Sequence, residues 1–256
     1  MTAPAAFCHT GVYPATPPQL FRVPQHYLLY AARGTMRLEA DGRSWMLPPA
    51  RAALIAADHP VTVTLTRPME ARSALFSAER YAAPAAGLAV FDVSPLAREL
   101  LAACAPWTET APDRPDRATA LFDALHAVAW DLAAAPSPTF LPVAKSPQLS
   151  RAIALTAERL DDPPGFGAIA TTIGVSERTL ARRFNRELGL SWRDLLRRMR
   201  LIRAAELLAE TDDTVAQVGF AVGYNALSGF NSAFAELFGC SPSAYRRGCR
   251  GPGPAG

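Results

Sequence analysis

Histidine and cysteine, the side chains from which most metal and redox sites are made, are scarce here. The 256 residues include four histidines, His9, His26, His59 and His126, and four cysteines, Cys8, Cys104, Cys240 and Cys249. No Cys-x-x-Cys and no His-x-His occurs, so neither a zinc site nor a disulfide framework is expected. His26 and His59 are the two in the stretch that reads as strands; they are expected at the surface or in loops, with contact to a ligand as the alternative. No Ser/His/Asp order, Gly-rich phosphate loop or paired carboxylates stand out; Glu39 and Asp41 read as a hairpin edge and its turn. No stretch reaches the ~18–20 apolar residues that span a bilayer. No basic segment followed by an apolar run opens the chain. The expected setting is the reducing cytoplasm, away from membranes, with no cofactor.

Net charge is also small, +3, but unevenly spread. Residues 1–140 carry 11 Arg against 12 acids, a balance of −1. Residues 141–256 carry 15 Lys and Arg against 11 acids, a balance of +4. Within 176–203, 9 Arg face 3 acids, giving +6. Basic charge gathered in one segment is what neutralising a phosphate backbone requires. Hydrophobic content of 50% and this length allow two folded domains, each with its own core.

The segment that organises the chain runs from Ile169 to Phe184. Ala170 and Gly174 sit four apart, the first small enough for two crossing helices, the second able to take positive φ at a turn. Ser176 can cap a second helix. Leu180 and Phe184 point inward at i, i+4, while Arg178, Arg182 and Arg186 fall on other faces. This is a helix-turn-helix pattern, whose second helix enters the DNA major groove. It recurs at Thr214–Phe234. Thr214 and Gln217 form a capping box, Gly219 takes the small position, Gly223 the turn, and Phe230 and Phe234 the inward positions. Between the copies a long helix follows the Ser191/Asp194 capping box. Then comes Phe238-Gly239-Cys240-Ser241-Pro242-Ser243-Ala244-Tyr245-Arg246-Arg247.

Two such motifs on one joining helix, with that ending, resemble the DNA-binding domain of the AraC/XylS family of bacterial transcription regulators. The resemblance covers about a hundred C-terminal residues. It implies that Arg178, Ala181 and Arg182 approach base edges, with Ser176 on the same outward face. Arginine can bond guanine in a bidentate manner; the Ala181 methyl can only pack, for example on a thymine methyl. Arg183 and Arg186 are expected to contact phosphate, which positions without specifying. On the second reading helix Leu227, Ser228, Asn231 and Ser232 take the outward positions, where Asn231 could read adenine N6/N7 and Ser228 or Ser232 could bond phosphate or a base edge, unless the helix mainly supports the fold. No arginine is among them, and relatives often carry a basic residue where Ser232 stands. Phe220, Tyr224, Phe230, Phe234 and Phe238 are expected in the core, and Asn225 as a cap. Gly167 and Gly229 are weak points inside helices. Of Arg193, Arg197, Arg198, Arg200 and Arg203 on the joining helix, some are expected to pair with Asp194 and Glu206 and others to face the backbone phosphates.

The front half reads differently. Met1 to Pro24 is Ala/Pro-rich and is expected to be partly disordered at its start. Short strands are expected at 27–32, 35–39, 43–47, 53–55, 61–66 and 73–76, with an Asp41-Gly42 hairpin turn and a break at Pro48-Pro49. Many short antiparallel strands mean a sandwich or small barrel. The stretch from Gly34 to Ile55 resembles the cupin-type jelly roll common as a sensor in the same family. Ser94-Pro95 starts a helix with Leu96, Leu100 and Ala103 on one face. Trp107–Pro115 reads as a loop. A helix over 117–133 carries a stripe of Leu121, Leu125, Val128 and Leu132, which either packs on the barrel or pairs two protomers.

The expected fold class is α+β with two domains: a cupin-like barrel with trailing helices over 1–134 and an all-α DNA-binding domain over 148–247. A Pro-rich linker at 135–147 joins them, and 248–256 is a disordered tail. The expected function is sequence-specific transcription regulation in response to a small-molecule effector. Partners are double-stranded DNA, the effector, RNA polymerase and a second protomer. The alternatives are a cupin-type enzyme with an accessory DNA-binding domain, and a general architectural DNA protein.

Overall fold

The computed structural model describes residues 4–48, 51–111, 115–137 and 139–250. The expected disorder at the first residues and beyond Arg250, and Pro49 of the proline break, lie outside these. The chain divides into two compact units, one mainly from residues up to 137, the other from 139–247 with the 41–44 hairpin tip.

The first unit is built on Ala6–Tyr13 (β1), Thr16–Phe21 (β2), Gln25–Arg33 (β3), Met36–Ala40 (β4), Arg43–Leu47 (β5), Arg51–Ile55 (β6), Val61–Leu65 (β7), Met69–Ser77 (β8) and Leu88–Asp92 (β9). They form two antiparallel sheets, ordered β1-β8-β3-β6-β9 and β5-β4-β7-β2, while Leu141–Pro142 (β10) pairs with Arg43 and Ser44 of the hairpin tip within the second unit. Strands β1, β2 and β9 were not expected. β2 contains Pro17 and Pro18, which cannot donate to a ladder. It lies at a sheet edge, and its register on β7 shifts between Thr16 and Gln19, where those prolines fall. The Asp41-Gly42 turn has positive φ at both residues, 51° and 71°, as a tight hairpin turn requires.

Two helices cover one face of the first sheet: Pro95–Cys104 (α1) and Asp116–Ala134 (α2). Ser94 caps α1 by accepting from the Ala97 amide at 3.1 Å. The buried face of α1 is Ala97, Leu100, Leu101 and Cys104. Leu96 and Ala103, expected on that face, are exposed. Phe122, Leu125 and Ala129 of α2 are fully buried, and Leu121, Val128 and Leu132 pack partly buried against the same core. The stripe of α2 packs on its own sheet through Leu125 fully and through the other three in part. That core also takes Leu28, Tyr30, Leu54, Phe76 and Phe91. β3 and β6 are buried on both faces, so their sequences are apolar runs without clear alternation.

His26 is buried, against expectation. Its Nδ1 accepts from the Ala57 amide at 3.0 Å, and its Nε2 lies 3.2 Å from the Tyr81 carbonyl. His126 packs beside it, with ring centroids 4.3 Å from Trp130 and 4.9 Å from Tyr81. His59 is half-buried in a loop.

The second unit contains Pro147–Glu158 (α3), Phe166–Thr172 (α4), Glu177–Arg183 (α5), Trp192–Glu210 (α6), Val215–Ala221 (α7), Leu227–Phe238 (α8) and Pro242–Arg250 (α9). α9 thus extends into the expected tail. Leu149, Ala152, Ile169, Ala170, Leu180, Phe184, Leu195 and Met199 form one buried cluster, which fixes α3, α4, α5 and the start of α6 together. α6 also packs with α7 and α8.

Candidate nucleic-acid interface

The turn between α4 and α5 is held by two backbone bonds. Val175 N donates to Ala170 O at 3.0 Å, and Gly174 N to Thr171 O at 3.1 Å. Gly174 has φ +71°. Between α7 and α8, Tyr224 N donates to Gly219 O at 3.0 Å and Gly223 N to Phe220 O at 2.9 Å, with Gly223 at φ +87°. Both copies therefore end their first helix in the same Schellman motif, which satisfies the last free carbonyls around a left-handed glycine. The chain then differs. Ser176 caps α5, accepting from Thr179 N at 3.2 Å. The second turn is one residue longer, and its cap is Ala226, which makes no side-chain bond. Asn225 is thus not the cap that was expected. The Thr214/Gln217 and Ser191/Asp194 capping boxes are both formed.

The inward positions are filled as the spacing predicts. Leu180, Phe184, Phe230 and Phe234 are completely buried. Ala170 in the first copy faces the role that Gly219 takes in the second. A Cβ on Gly219 would lie 3.1 Å from the Phe230 ring, so the larger Phe in place of Leu180 is matched by a smaller partner. Gly167 also has a use: a Cβ there would come within 2.5 Å of Glu177 Oε1. That carboxylate lies across α4 in the space the missing methyl leaves. Phe238 stacks on Phe234 at 4.4 Å, and Tyr245 closes on both at 5.2 and 5.4 Å. The Phe-Gly-x-Ser-Pro-x-x-Tyr ending is an aromatic lock on α8. Gly239 ends α8 at φ +71°, and Ser241 Oγ accepts from Ala244 N at 3.2 Å to start α9. Phe220 is not part of this core; it is 56% exposed.

On α5, Ser176, Arg178 and Arg182 are exposed, and Ala181 is half-buried. Arg183 is half-buried, with Nη1 enclosed and without a hydrogen-bond partner among the described residues. The helix does not run on regularly to Arg186. Phe184–Leu188 forms a wider π-type turn, ending at Gly189 with φ +65°. This turn shifts Arg186 out of simple alignment with Arg178 and Arg182. It also carries Glu187 to the start of α3, where the carboxylate accepts from Ser146 N and Ser146 Oγ, each at 3.0 Å. On α8, Leu227, Ser228 and Ser232 are exposed. Asn231 is half-buried with its Oδ1 enclosed.

The arginines of α6 mostly bind protein. Arg203 pairs with Glu206 at 2.7 Å, as expected. Asp194 serves its capping box. Arg197 pairs with Glu236 of α8. Arg200 donates to Leu160 O at 2.7 Å and Asp161 O at 3.0 Å, and Arg198 lies over the Phe140 ring. Arg193 is exposed.

Two capped helix pairs, each presenting the second helix outward from a closed core, define a double helix-turn-helix DNA-binding module. A helix-turn-helix domain family matches residues 169–248. The HTH-type transcriptional regulator NimR of Escherichia coli is 30% identical over 251 residues, covering 95% of this chain and 87% of that one. The chain belongs to the AraC/XylS family of helix-turn-helix transcription regulators, and it is a DNA-binding transcription regulator. The transcriptional activator RhaS of Escherichia fergusonii is 33% identical over 101 residues, which is 40% of this chain and 36% of RhaS. A solved transcriptional regulator with an AraC-type DNA-binding domain, from Chromobacterium violaceum, is 32% identical. It covers 42% of this chain and 96% of its own, with a TM-score of 0.40. Among the described residues, no group of three or more His, Cys, Asp or Glu could hold a metal ion. No described helix is long and apolar enough to cross a membrane.

Proposed function

We propose that the chain reads a two-part operator with α5 and α8 and changes its transcriptional output when a small molecule fills the first unit. Arg178 and Arg182 are the base readers, while Ala181 lends only a methyl. Arg186 and Arg183 hold phosphate, Arg186 the more freely because it is exposed. Leu227, Ser228 and Ser232 make the second, uncharged reading surface, with Asn231 beside them. The observation that carries this reading is the exposure of Arg178 and Arg182 on a helix whose opposite residues, Leu180 and Phe184, are completely buried. A helix fixed in that way presents its arginines at little further entropic loss.

For the effector, the first unit offers a cavity of about 520 Å³ lined from both sheets, by Tyr13, Phe21, Tyr27, Leu29, Met36 and Leu65 among others. A largely apolar hollow of this size with a few polar groups suits a small-molecule ligand. It supports the cupin-type sensor reading of the two sheets. Effector binding then biases the balance between states that differ in operator or RNA polymerase affinity. A homodimer formed through α2 would use its partly exposed Leu121, Val128 and Leu132. Footprinting upstream of the gene that encodes the chain, or of its neighbours, tests the reading. A discrete protected site that survives 200 mM salt supports it. Protection that is uniform along the DNA refutes it.

A further inference from the structure

The second reading helix has a deficit that its neighbour can repair. From Leu227 to Phe238 the only charged residue is Glu236, so α8 brings no cation to the half-site it reads. DNA affinity comes chiefly from cations that release counterions at phosphates. Beside α8 lies a groove of about 440 Å³, lined by Arg193, Arg197 and Arg200 of α6, Tyr224 of the turn, and Gly229 and Ser232 of α8. Three arginine residues, largely through their aliphatic stems, thus line a space large enough for a phosphodiester, with the charged ends of Arg193 and Arg197 exposed beside it. Ser232 belongs both to the groove and to the exposed reading face. A backbone strand running past that face would pass over the groove.

The three arginines are not equivalent. Arg200 is spent on the Leu160 and Asp161 carbonyls and shapes the floor. Arg197 is held by the exposed carboxylate of Glu236. Arg193 is exposed and takes part in no ion pair among the described residues. Gly229 lies exposed in the first turn of α8, and a Cβ there would meet nothing within 4 Å, so no packing need explains the glycine. What it does is leave bare backbone at the groove wall, where another chain can approach closely.

We propose that this groove is a phosphate clamp, in which Arg193 and Arg197 grip one backbone phosphate beside the half-site read by α8. Glu236 occupies Arg197 in the free protein and yields it to the phosphate on binding. The inference rests on the DNA-reading function of α8. It adds the source of that half-site's charge.

The test uses the full-length chain and a 40-base-pair duplex that the wild-type chain itself selects from a random pool. Failure of the wild-type chain to select any sequence would sink the reading on which the clamp rests, not the clamp in particular. With a selected duplex, the dissociation constant is followed against salt. Arg193→Gln is expected to reduce the slope of log affinity against log salt by about one. Ethylation interference in that variant should vanish at a single phosphate flanking the second half-site. Glu236→Gln should do the reverse and tighten binding by up to about five-fold at low salt, since an exposed ion pair restrains its partner only weakly. Both substitutions are at exposed positions, and unchanged far-ultraviolet ellipticity checks the fold. Slopes equal to wild type in Arg193→Gln, or no tightening in Glu236→Gln, overturn the clamp. So does an unchanged slope accompanied by shifts of the arginine resonances on adding inorganic phosphate, which would assign the groove to a free anion.

Discussion

The two turn glycines make a controlled comparison, because the same substitution meets different surroundings. Alanine at Gly174 must adopt φ +71°, but its Cβ has nothing within 4 Å. The penalty is then the left-handed strain alone, about 1–2 kcal/mol. Alanine at Gly223 must adopt φ +87°, and its Cβ would lie 2.5 Å from the Asp161 carbonyl oxygen and 2.6 Å from Arg200 Nη2. One of those atoms is backbone and cannot swing away. The guanidinium can move, but only by giving up its bond to Asp161 O, and a bond from a charged donor is worth about 1.5–3 kcal/mol. Gly223→Ala should therefore cost about 3–5 kcal/mol in all.

Native-state amide exchange on the full chain measures this locally, without assuming that both units unfold together. The α7–α8 amides in Gly223→Ala should lose protection more than the α4–α5 amides in Gly174→Ala. The ratio should be about 30- to 150-fold, the equivalent of a difference of about 2–3 kcal/mol. Equal losses in the two variants would mean that the Arg200 bridge contributes nothing, and the reasoning would fail.

Gly219→Ala should destabilise α7–α8, and adding Phe230→Leu should recover part of the loss; a thermodynamic cycle of the two should give a coupling of about 1 kcal/mol. Arg182→Ala should lower specificity at one or two base pairs, whereas Arg186→Ala should weaken all sequences alike and reduce the salt slope by about one; competition binding separates them. Burial holds His26 below its ordinary value of 6.5, against the pull of the Tyr81 carbonyl bond; burial also lowers His126, with Asp123 opposing. Both Cε1 protons should titrate with midpoints below 6.5 in an NMR series. Stability from these two rings is complete above 6.5, where the unfolded chain too is neutral, and is lost as pH falls through the lower folded values.

Much of the second unit was legible because its signals are local. A capping box needs two residues three apart, a Schellman turn needs one glycine, and an inward pair needs i, i+4. All of these formed at Ser191/Asp194, Thr214/Gln217, Gly174, Gly223, Leu180/Phe184 and Phe230/Phe234. What was missed depends on partners far away in sequence. Phe220 fits the helical apolar spacing, yet it stays 56% exposed. Asn225 was set aside because the second turn is one residue longer than the first. The π-type turn at Phe184–Leu188 has no local signature; it puts Glu187 within reach of Ser146, 41 positions earlier. In the first unit β1 and β2 hid behind Pro-rich composition, since an edge strand tolerates prolines that a central strand would not. His26 looked like a loop residue until the Ala57 amide and the Tyr81 carbonyl were brought to its two nitrogens.

The duplication also diverges in a way that bears on the operator. The turn that ends each first helix is shared to the level of individual bonds, although only α5 has a side-chain N-cap. The outward chemistry of the two reading helices is not shared. α5 offers two exposed arginines, each capable of about 1–3 kcal/mol of discrimination through a bidentate bond to guanine. α8 offers Leu227, Ser228 and Ser232, which can touch a methyl group or a single acceptor but make no bidentate contact, and the oxygen of Asn231 is enclosed. Sequences selected from a random pool by the full chain should therefore show an uneven site. Two or three strongly fixed positions, including guanines, are expected in one half, and weak preferences about one helical turn away in the other. Replacing Arg178 and Arg182 together by alanine should erase the strong half and leave the weak one. Equal information in both halves of the wild-type site would refute this reading, because it would require α8 to discriminate with groups that its surface does not present.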